Sequence, residues 1–153
     1  MKLEIRNLKK SFGQQVVLDN ISLVLEKVHT LALIGPSGGG KSTLLRVIAG
    51  LERPDQGEVW LNDAEIIFEE KLLREHRRTV GTVFQSFNLF PHLTAFANVT
   101  LPLEKVHGHP PKQAREMAEE ILERFQLMEH AHKQPAQLSG GQRQRIAIAR
   151  AVA

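Results

Sequence analysis

Short apolar runs separated by polar turns characterise the first half of the chain. Residues 2–6 read KLEIR, and Leu3 and Ile5 alternate with polar side chains, which predicts a strand with one buried face. Four further runs are short, apolar and bounded by polar residues or turn-like segments, as is typical of strands. They are residues 21–25, 31–34, 57–62 and 79–84. This half of the chain is therefore predicted to form a sheet.

The pattern changes to a helical period beyond residue 88. Pro110 and Pro111 suit the start of a helix, where the missing N–H of proline costs no hydrogen bond. Apolar side chains follow at helical spacing, at Ala114, Met117, Ala118, Ile121, Leu122 and Phe125. Charged side chains take the opposite face, at Lys112, Glu116, Glu119, Glu120 and Glu123. We therefore predict two parts, an α/β part at residues 1–87 and a largely helical part at residues 88–153.

Composition places the chain among ordinary globular proteins. Its 153 residues suffice for one domain, and 42% of them are apolar and 24% charged. The absence of cysteine excludes disulfides and thiolate metal sites and fits a reducing cytoplasm. The first residues, MKLEIRNLKK, lack the apolar core of a signal peptide, and no apolar run approaches bilayer length. We expect a soluble chain that can still lie beside a membrane.

The charge distribution gives little support to nucleic-acid binding. The net charge is +3, and the densest basic cluster is REHRR at residues 74–78. Basic residues along the predicted helices are mixed with glutamate, which is typical of a solvated face. We therefore expect no nucleic-acid partner.

Two histidine pairs are weak metal-site candidates. They lie at residues 107–109 and 130–132, and no cysteine or suitably spaced carboxylate completes either set. Both pairs are predicted to be surface residues.

Residues 35–42 read GPSGGGKS and match the pattern G-x-x-x-x-G-K-[ST]. Glycines leave the backbone N–H groups bare, so that the loop can surround a phosphate at the start of a helix. Lys41 can place its ammonium against the terminal phosphates, and the Ser42 hydroxyl can ligate Mg²⁺. The pattern predicts nucleoside triphosphate binding. The alternative, a plain glycine-rich turn, rarely reproduces the whole pattern by chance.

A second glycine-rich helix start lies at residues 138–142, LSGGQ. Ser139 and Gln142 are spaced to form a capping box. A cap does not need the two glycines that follow Ser139, whereas bare backbone at a helix N-terminus suits a phosphate. Both interpretations stand together. They predict that one phosphate can be held between two helix starts, within one chain or across two.

Together these motifs resemble the ATPase subunit of ABC transporters. The resemblance rests on GPSGGGKST at 35–43, FQ at 84–85 and LSGGQRQRIAIARA at 138–151, and it extends from residue 1 to residue 153. It implies an α/β P-loop NTPase (ABC ATPase) core with a helical subdomain, with the C-terminal part of the sheet missing here. It also implies a cytoplasmic location, peripheral on the cytoplasmic face of the cell membrane.

The resemblance assigns roles to individual residues. Phe12, with Val17 nearby, matches the aromatic that stacks on adenine, although an ordinary core phenylalanine is the alternative. Gln85 matches a glutamine that reaches Mg²⁺ and the attacking water, so Ser42 and Gln85 are the implied magnesium contacts. The implied ATP-binding loop consists of Gly35, Pro36, Ser37, Gly38, Gly39, Gly40, Lys41, Ser42 and Thr43. The implied signature, which contacts the γ-phosphate across a dimer, consists of Ser139, Gly140, Gly141 and Gln142.

Two kinds of protein partner are also implied by the resemblance. One is a head-to-tail partner, either a second copy of this chain or a full-length ABC ATPase subunit. The other is a membrane permease, whose coupling helix would contact Phe87, Leu89, Phe90, Leu93 and Phe96, although subdomain core is the alternative for some of these. Residues 83–99 look most like importers of polar amino acids, and lipoprotein-release and other importer subfamilies stay open.

The resemblance calls for further segments beyond residue 153. They would supply an aspartate for Mg²⁺, a glutamate that polarises water and a histidine at the γ-phosphate. Asp19, Asp55 and Asp63 do not end an apolar strand. We expect a chain with the ATP-binding half of the site and the signature but no hydrolytic centre. Such a chain would fold poorly alone and would not turn over ATP.

Three functions are therefore open. The first is an ATP-binding subunit that couples ATP binding and hydrolysis to solute transport, most like polar amino acid uptake, through a permease. The second is a non-catalytic nucleotide-binding fragment that regulates a full-length subunit. The third is a soluble ABC-type ATPase that acts on DNA or ribosomes, which the permease-like residues 85–99 disfavour.

Overall fold

The computed structural model describes all residues from 1 to 153, and they form two compact units. The first unit is Met1–Val80, and the second is Gly81–Ala153. The functional division predicted between residues 87 and 88 stays a prediction.

The first unit is built on a four-stranded antiparallel sheet. Its strands are β1 (Leu3–Phe12), β2 (Gln15–Leu25), β3 (Gln56–Leu61) and β4 (Ala64–Glu65). They lie in the order β2-β1-β3-β4, so β1 is flanked on both sides. The strands predicted near residues 2–6, 21–25 and 57–62 are confirmed, and β1 and β2 extend further than predicted.

One face of the sheet supplies much of the hydrophobic core of this unit. Its buried side chains are Leu3, Ile5, Leu8, Leu18 and Val59. The spacing along β1 lengthens by one residue between Ile5 and Leu8, where the pairing with β2 is irregular and Asn7 has a φ of 47°. Asparagine tolerates this left-handed conformation better than most residues do. The irregularity thereby returns Leu8 to the buried face.

Two helices belong to the first unit. Helix α1 (Lys41–Ile48) contributes Leu44 and Val47 to the same core, and helix α2 (Glu70–Arg78) contributes Leu73. Helix α2, which the sequence analysis did not predict, contains the basic cluster of residues 74–78. The Arg77 guanidinium donates to the Gly50 carbonyl from Nε and Nη2, at 3.0 and 2.8 Å. At least one arginine of the basic cluster therefore makes hydrogen bonds within the first unit.

The two remaining strand predictions, residues 31–34 and 79–84, are wrong. Neither segment is a strand of the sheet, and the Ile34 side chain is 94% exposed. A strand exists only where a neighbouring strand pairs with its N–H and C=O groups. The apolar pattern of these two segments is typical of a strand, but it does not show whether another segment is available to pair with them.

The second unit is helical, as predicted. It contains α3 (Ala95–Lys105), α4 (Pro111–Arg124) and α5 (Gly140–Val152), with short 3-10 helices at Met128–His130 and Pro135–Gln137. The periodic face of α4 is confirmed, since Ala114, Ala118 and Leu122 are fully buried against residues of α3 and α5. No helix of the structure has both the length and the apolar character needed to cross a bilayer.

A single buried polar side chain, Asn98, organises the loop before α3. Its Oδ1 accepts from the Phe90 N–H at 2.8 Å, and its Nδ2 donates to the Thr94 carbonyl at 2.9 Å. Longer bonds from Nδ2 reach the carbonyls of Phe90 and Leu93, at 3.2 and 3.3 Å. Because the side chain is 0% exposed, water cannot replace these bonds.

The substitution Asn98→Leu should therefore destabilise the second unit. Leucine has a similar size, but it leaves the Phe90 N–H and the carbonyls without their partner, at a cost of about 2–4 kcal/mol. Urea unfolding followed by circular dichroism measures the difference. Gln144→Leu, the same kind of change at an exposed position of α5, should change stability by less than about 0.5 kcal/mol. Equal effects of the two variants would contradict the role of Asn98.

Candidate functional site

The loop of residues 35–42 lies at the start of α1. A turn closes within it where the Gly39 N–H donates to the Pro36 carbonyl at 3.2 Å. Gly40 is the N-cap of α1, and no side chain caps this helix end. The Gly40 carbonyl accepts the first helical bond, from the Leu44 N–H, at 2.9 Å. The first-turn N–H groups of α1 are thus available to an anion rather than consumed by a side-chain cap.

The Lys41 ammonium is folded back onto its own loop. It donates to the Pro36 carbonyl at 2.6 Å and to the Gly35 carbonyl at 2.9 Å. Both acceptors are neutral, and a hydrogen bond from a cation to an anionic oxygen is roughly twice as strong. An anionic ligand in the loop can therefore compete for this ammonium.

An open cavity of about 540 Å³ brings the predicted nucleotide-binding residues together. It is lined by Phe12, Val17, Ser37, Gly38, Gly39, Gly40, Lys41, Ser42 and Thr43. Gly35 and Pro36 are not part of this lining, and they contribute the carbonyls that hold Lys41. The end of β1, the start of β2 and the glycine-rich loop thus line one cavity.

The aromatic end of this cavity carries an exposed ring. The Phe12 side chain is 48% exposed, so it is not an ordinary core phenylalanine. The Lys10 ammonium lies 5.1 Å from the centre of the Phe12 ring, within the range of a cation–π contact. A hydrogen bond from Lys10 to Glu52, with the nearby charges of Glu52 and Asp55, raises the pKa of Lys10. Lys10 was missed from the sequence, where only its position two residues before Phe12 hinted at it.

The residues present fit a nucleoside phosphate. The cavity combines one ammonium, three hydroxyls, bare helix-start amides and an aromatic face, and it contains no carboxylate in its lining. An added Cβ at Gly40 would meet the Val17 carbonyl oxygen at 2.7 Å, so the loop packs closely where it enters α1. The Ser42 hydroxyl is the one predicted magnesium contact that lies in this cavity.

The second glycine-rich helix start forms the predicted capping box. The Ser139 Oγ accepts from the Gln142 backbone N–H at 3.2 Å, and the Gln142 Oε1 accepts from the Ser139 N–H at 2.8 Å. Nothing lies within 4 Å of where a Cβ would stand at Gly140 or Gly141. Packing inside this unit therefore does not require glycine at either position, and the backbone there is open to approach.

Gln85 is exposed and begins a turn in the second unit. Phe87 and Asn88 follow with left-handed φ values of 60° and 46°. The Arg150 guanidinium stabilises this turn by donating to their carbonyls, at 3.0 and 2.7 Å. Burial of the guanidinium lowers the pKa of Arg150.

A second open cavity, of about 510 Å³, lies beside this turn. Its lining residues are Ser86, Phe87, Asn88, Leu89, Pro135 and Arg143. Two of the residues predicted to contact a permease, Phe87 and Leu89, therefore line a groove. The structure contains no group of three or more His, Asp or Glu side chains placed to hold a metal ion.

Residues 18–153 match the family described as ABC transporter. The chain belongs to the ABC transporter family. This match includes both glycine-rich helix starts and most of the residues that line the two cavities.

Individual members of the ABC transporter family agree with this assignment. The uncharacterized amino-acid ABC transporter ATP-binding protein YhdZ of Escherichia coli (strain K12) is 45% identical over 150 residues, which are 98% of this chain and 60% of YhdZ. The sulfate/thiosulfate import ATP-binding protein CysA of Synechocystis is 45% identical over 153 residues, 100% of this chain and 42% of CysA. The chain thus spans about half the length of these curated relatives.

A solved structure confirms the predicted fold class. The ATP-binding cassette MJ0796, described as a dimeric post-hydrolysis state bound to ADP and Pi, superposes with a TM-score of 0.87 at 38% identity. The match covers 99% of this ABC transporter chain and 69% of MJ0796. The α/β ABC ATPase fold is therefore established, with an antiparallel sheet in this chain.

Two glycines of the loop offer a matched test of its packing. Gly38 and Gly40 both have left-handed φ values, of 81° and 78°, but only Gly40 has backbone within reach of a Cβ. Gly38→Ala should cost about 1 kcal/mol of folding free energy from conformation alone. Gly40→Ala should cost about 2–4 kcal/mol, because its Cβ also meets the Val17 carbonyl. Urea unfolding of both variants measures this, and a Gly38→Ala cost as large as that of Gly40→Ala would refute the packing argument.

Proposed function

We infer that this chain binds Mg²⁺·ATP in its first unit and acts as the ATP-binding subunit of an ABC import system. The observation that carries the proposal is the cavity in which the exposed Phe12 ring meets residues 37–43. A flat base suits an aromatic face, and a triphosphate suits the helix start that has no side-chain cap. A ligand with both parts is a nucleoside triphosphate.

Lys41 and Ser42 have separate roles in this proposal. Lys41 would leave the carbonyls of Gly35 and Pro36 and pair with the terminal phosphates. The Ser42 hydroxyl would ligate the Mg²⁺ that supplies charge neutralisation when bound. The role of Gln85 as a second magnesium contact is part of the proposal and rests on the family resemblance.

The capping box at α5 suggests how a second molecule takes part. Ser139, Gly140 and Gly141 present a hydroxyl and open backbone at a helix start. We infer a head-to-tail dimer, with itself or with a full-length ABC ATPase subunit, in which this signature contacts the γ-phosphate held by the partner. The dimeric description of MJ0796 supports this arrangement.

Hydrolysis and transport belong to the complete assembly in this proposal. ATP would close the dimer, and hydrolysis would reopen it and drive a permease at the cytoplasmic face of the membrane. The transported solute is proposed to be a polar amino acid, from residues 83–99 and the name of YhdZ. The name of CysA favours sulfate as the competing assignment.

Replacing the loop lysine tests nucleotide binding directly. Lys41→Ala removes the only ammonium of the cavity and should weaken Mg²⁺·ATP binding about tenfold or more in isothermal titration calorimetry. Lys71→Ala removes an exposed lysine from α2 of the same unit and should leave the affinity unchanged. Absent binding by the unmodified chain, or equal affinity in Lys41→Ala, would overturn the proposal.

The second cavity supports a permease as the membrane partner. The Phe90 side chain is 42% exposed in the segment that borders this groove, and the Arg150 guanidinium lies 5.5 Å from its ring centre. The groove is lined by three apolar side chains (Phe87, Leu89 and Pro135) and three polar ones (Ser86, Asn88 and Arg143), and such a mixed lining suits an amphipathic helix. A coupling helix of a permease has this chemistry.

Two phenylalanines of similar exposure separate membrane docking from nucleotide binding. Phe90→Ala should reduce sedimentation of the chain with membrane vesicles that contain the permease, by about fivefold or more. Phe12→Ala, which changes a ring that is 48% exposed in the other unit, should lower ATP affinity and leave sedimentation intact. If Phe90→Ala sediments like the unmodified chain, Phe90 is not part of the docking surface.

A further inference from the structure

His130 contacts the signature segment through a side-chain hydrogen bond. Its ring Nε2 lies 2.7 Å from the side-chain Nε2 of Gln142. The sequence pattern predicted a surface position for this histidine, but the side chain is half-buried and its Nδ1 is buried without a hydrogen-bond partner. His130 is therefore part of the packing around the start of α5.

The capping box determines which atom of Gln142 faces His130. The Ser139 backbone N–H can only donate, so the Gln142 atom 2.8 Å from it must be the carbonyl oxygen Oε1. The amide NH₂ of Gln142 then points at His130. Because that NH₂ can only donate, the His130 Nε2 must accept, and the proton of the neutral ring resides on Nδ1.

The alternative arrangements are weaker. The other tautomer would place two N–H donors 2.7 Å apart at His130 and Gln142. Rotating the Gln142 amide would instead place its NH₂ against the Ser139 N–H. The buried Nδ1 has no hydrogen-bond partner whether or not it carries the proton. Its surroundings therefore do not favour the tautomer with the proton on Nε2. Only one arrangement keeps both hydrogen bonds of the Gln142 amide.

We propose that His130 is a positioning residue for the signature segment, because it holds the Gln142 amide in the orientation that the Ser139 capping box requires. The Gln142 amide is thereby committed to its own chain, and Ser139, Gly140 and Gly141 remain the groups that face a partner. This functional consequence rests on the proposed head-to-tail dimer. The positioning itself rests only on the contacts within the second unit.

The tautomer of His130 is the direct readout. Nitrogen-15 NMR of the whole chain, labelled in its histidine rings and studied at mildly alkaline pH, distinguishes a proton on Nδ1 from one on Nε2. The ring signals of His130 are identified as those that disappear from the spectrum of the His130→Gln variant. His76 is an internal control, because its Nε2 lies 2.8 Å from the Ile48 carbonyl and must donate. Opposite tautomers at His130 and His76 are expected, and a proton on Nε2 of His130 overturns the inference.

Two substitutions test the effect on the cap. His130→Leu removes the acceptor that holds the Gln142 amide, so it should accelerate hydrogen exchange of the Ser139 backbone N–H, which donates to Gln142 Oε1, about three- to tenfold. His130→Gln supplies a side-chain oxygen acceptor and should restore exchange toward the unmodified rate. Unchanged exchange in His130→Leu overturns the positioning role, and so does failure of His130→Gln to restore it.

Association measurements separate this inference from the proposed function. With Mg²⁺·ATP present, His130→Leu should raise the dissociation constant of the dimer about three- to tenfold in sedimentation velocity, while the ATP affinity of the first unit stays the same. If the unmodified chain does not associate with ATP, the proposed dimer fails. The tautomer and exchange results then decide the positioning role of His130 by themselves.

Discussion

The need of a helix start for hydrogen-bond acceptors underlies both glycine-rich segments of this chain. The first-turn N–H groups of any α-helix have no acceptor within the helix. Helix α1 begins at Gly40, which has no side chain to cap it. Its amides are left for water or for an anion, and Lys41 adds a positive charge at the same place. The sheet matters for function because β1 and β2 bring Phe12 and Val17 to this helix start.

Helix α5 meets the same need in a different way. Ser139 and Gln142 satisfy each other's backbone N–H groups, and such a cap contributes about 1 kcal/mol to helix stability. The helix start is therefore stable without a ligand, while Gly140 and Gly141 keep their backbone accessible. A segment of this kind suits transient contact with a phosphate that another molecule holds. The uncapped α1 suits a ligand held by the chain itself, since an anion bound there would supply the acceptors that no side chain provides.

Features that depend on neighbours along the chain could be predicted from the sequence. The glycine-rich loop, the capping box and the apolar face of α4 are all set by residues that lie close together in the sequence. The strands at residues 31–34 and 79–84 were predicted wrongly, because pairing with a distant segment decides whether an apolar run becomes a strand. The contact of His130 with Gln142, twelve residues along the chain, was missed for a similar reason. The contact of Lys10 with Phe12 is local, but it was missed because the strand was predicted to end at residue 6, whereas β1 extends to Phe12. Composition gives no sign of either.

Helix α5 is held by polar side-chain contacts at both of its ends. At its start, Gln142 binds His130, and near its end Arg150 donates to the carbonyls of Phe87 and Asn88. The Arg150 guanidinium is partly desolvated, and this burial lowers its pKa. Its hydrogen-bond partners are neutral backbone carbonyls. Arginine stays charged in proteins, so a guanidinium that moved away from these carbonyls would need water to replace the lost hydrogen bonds. The turn after Gln85 and the signature are thus attached to opposite ends of one helix. Both segments therefore depend on the placement of the same helix.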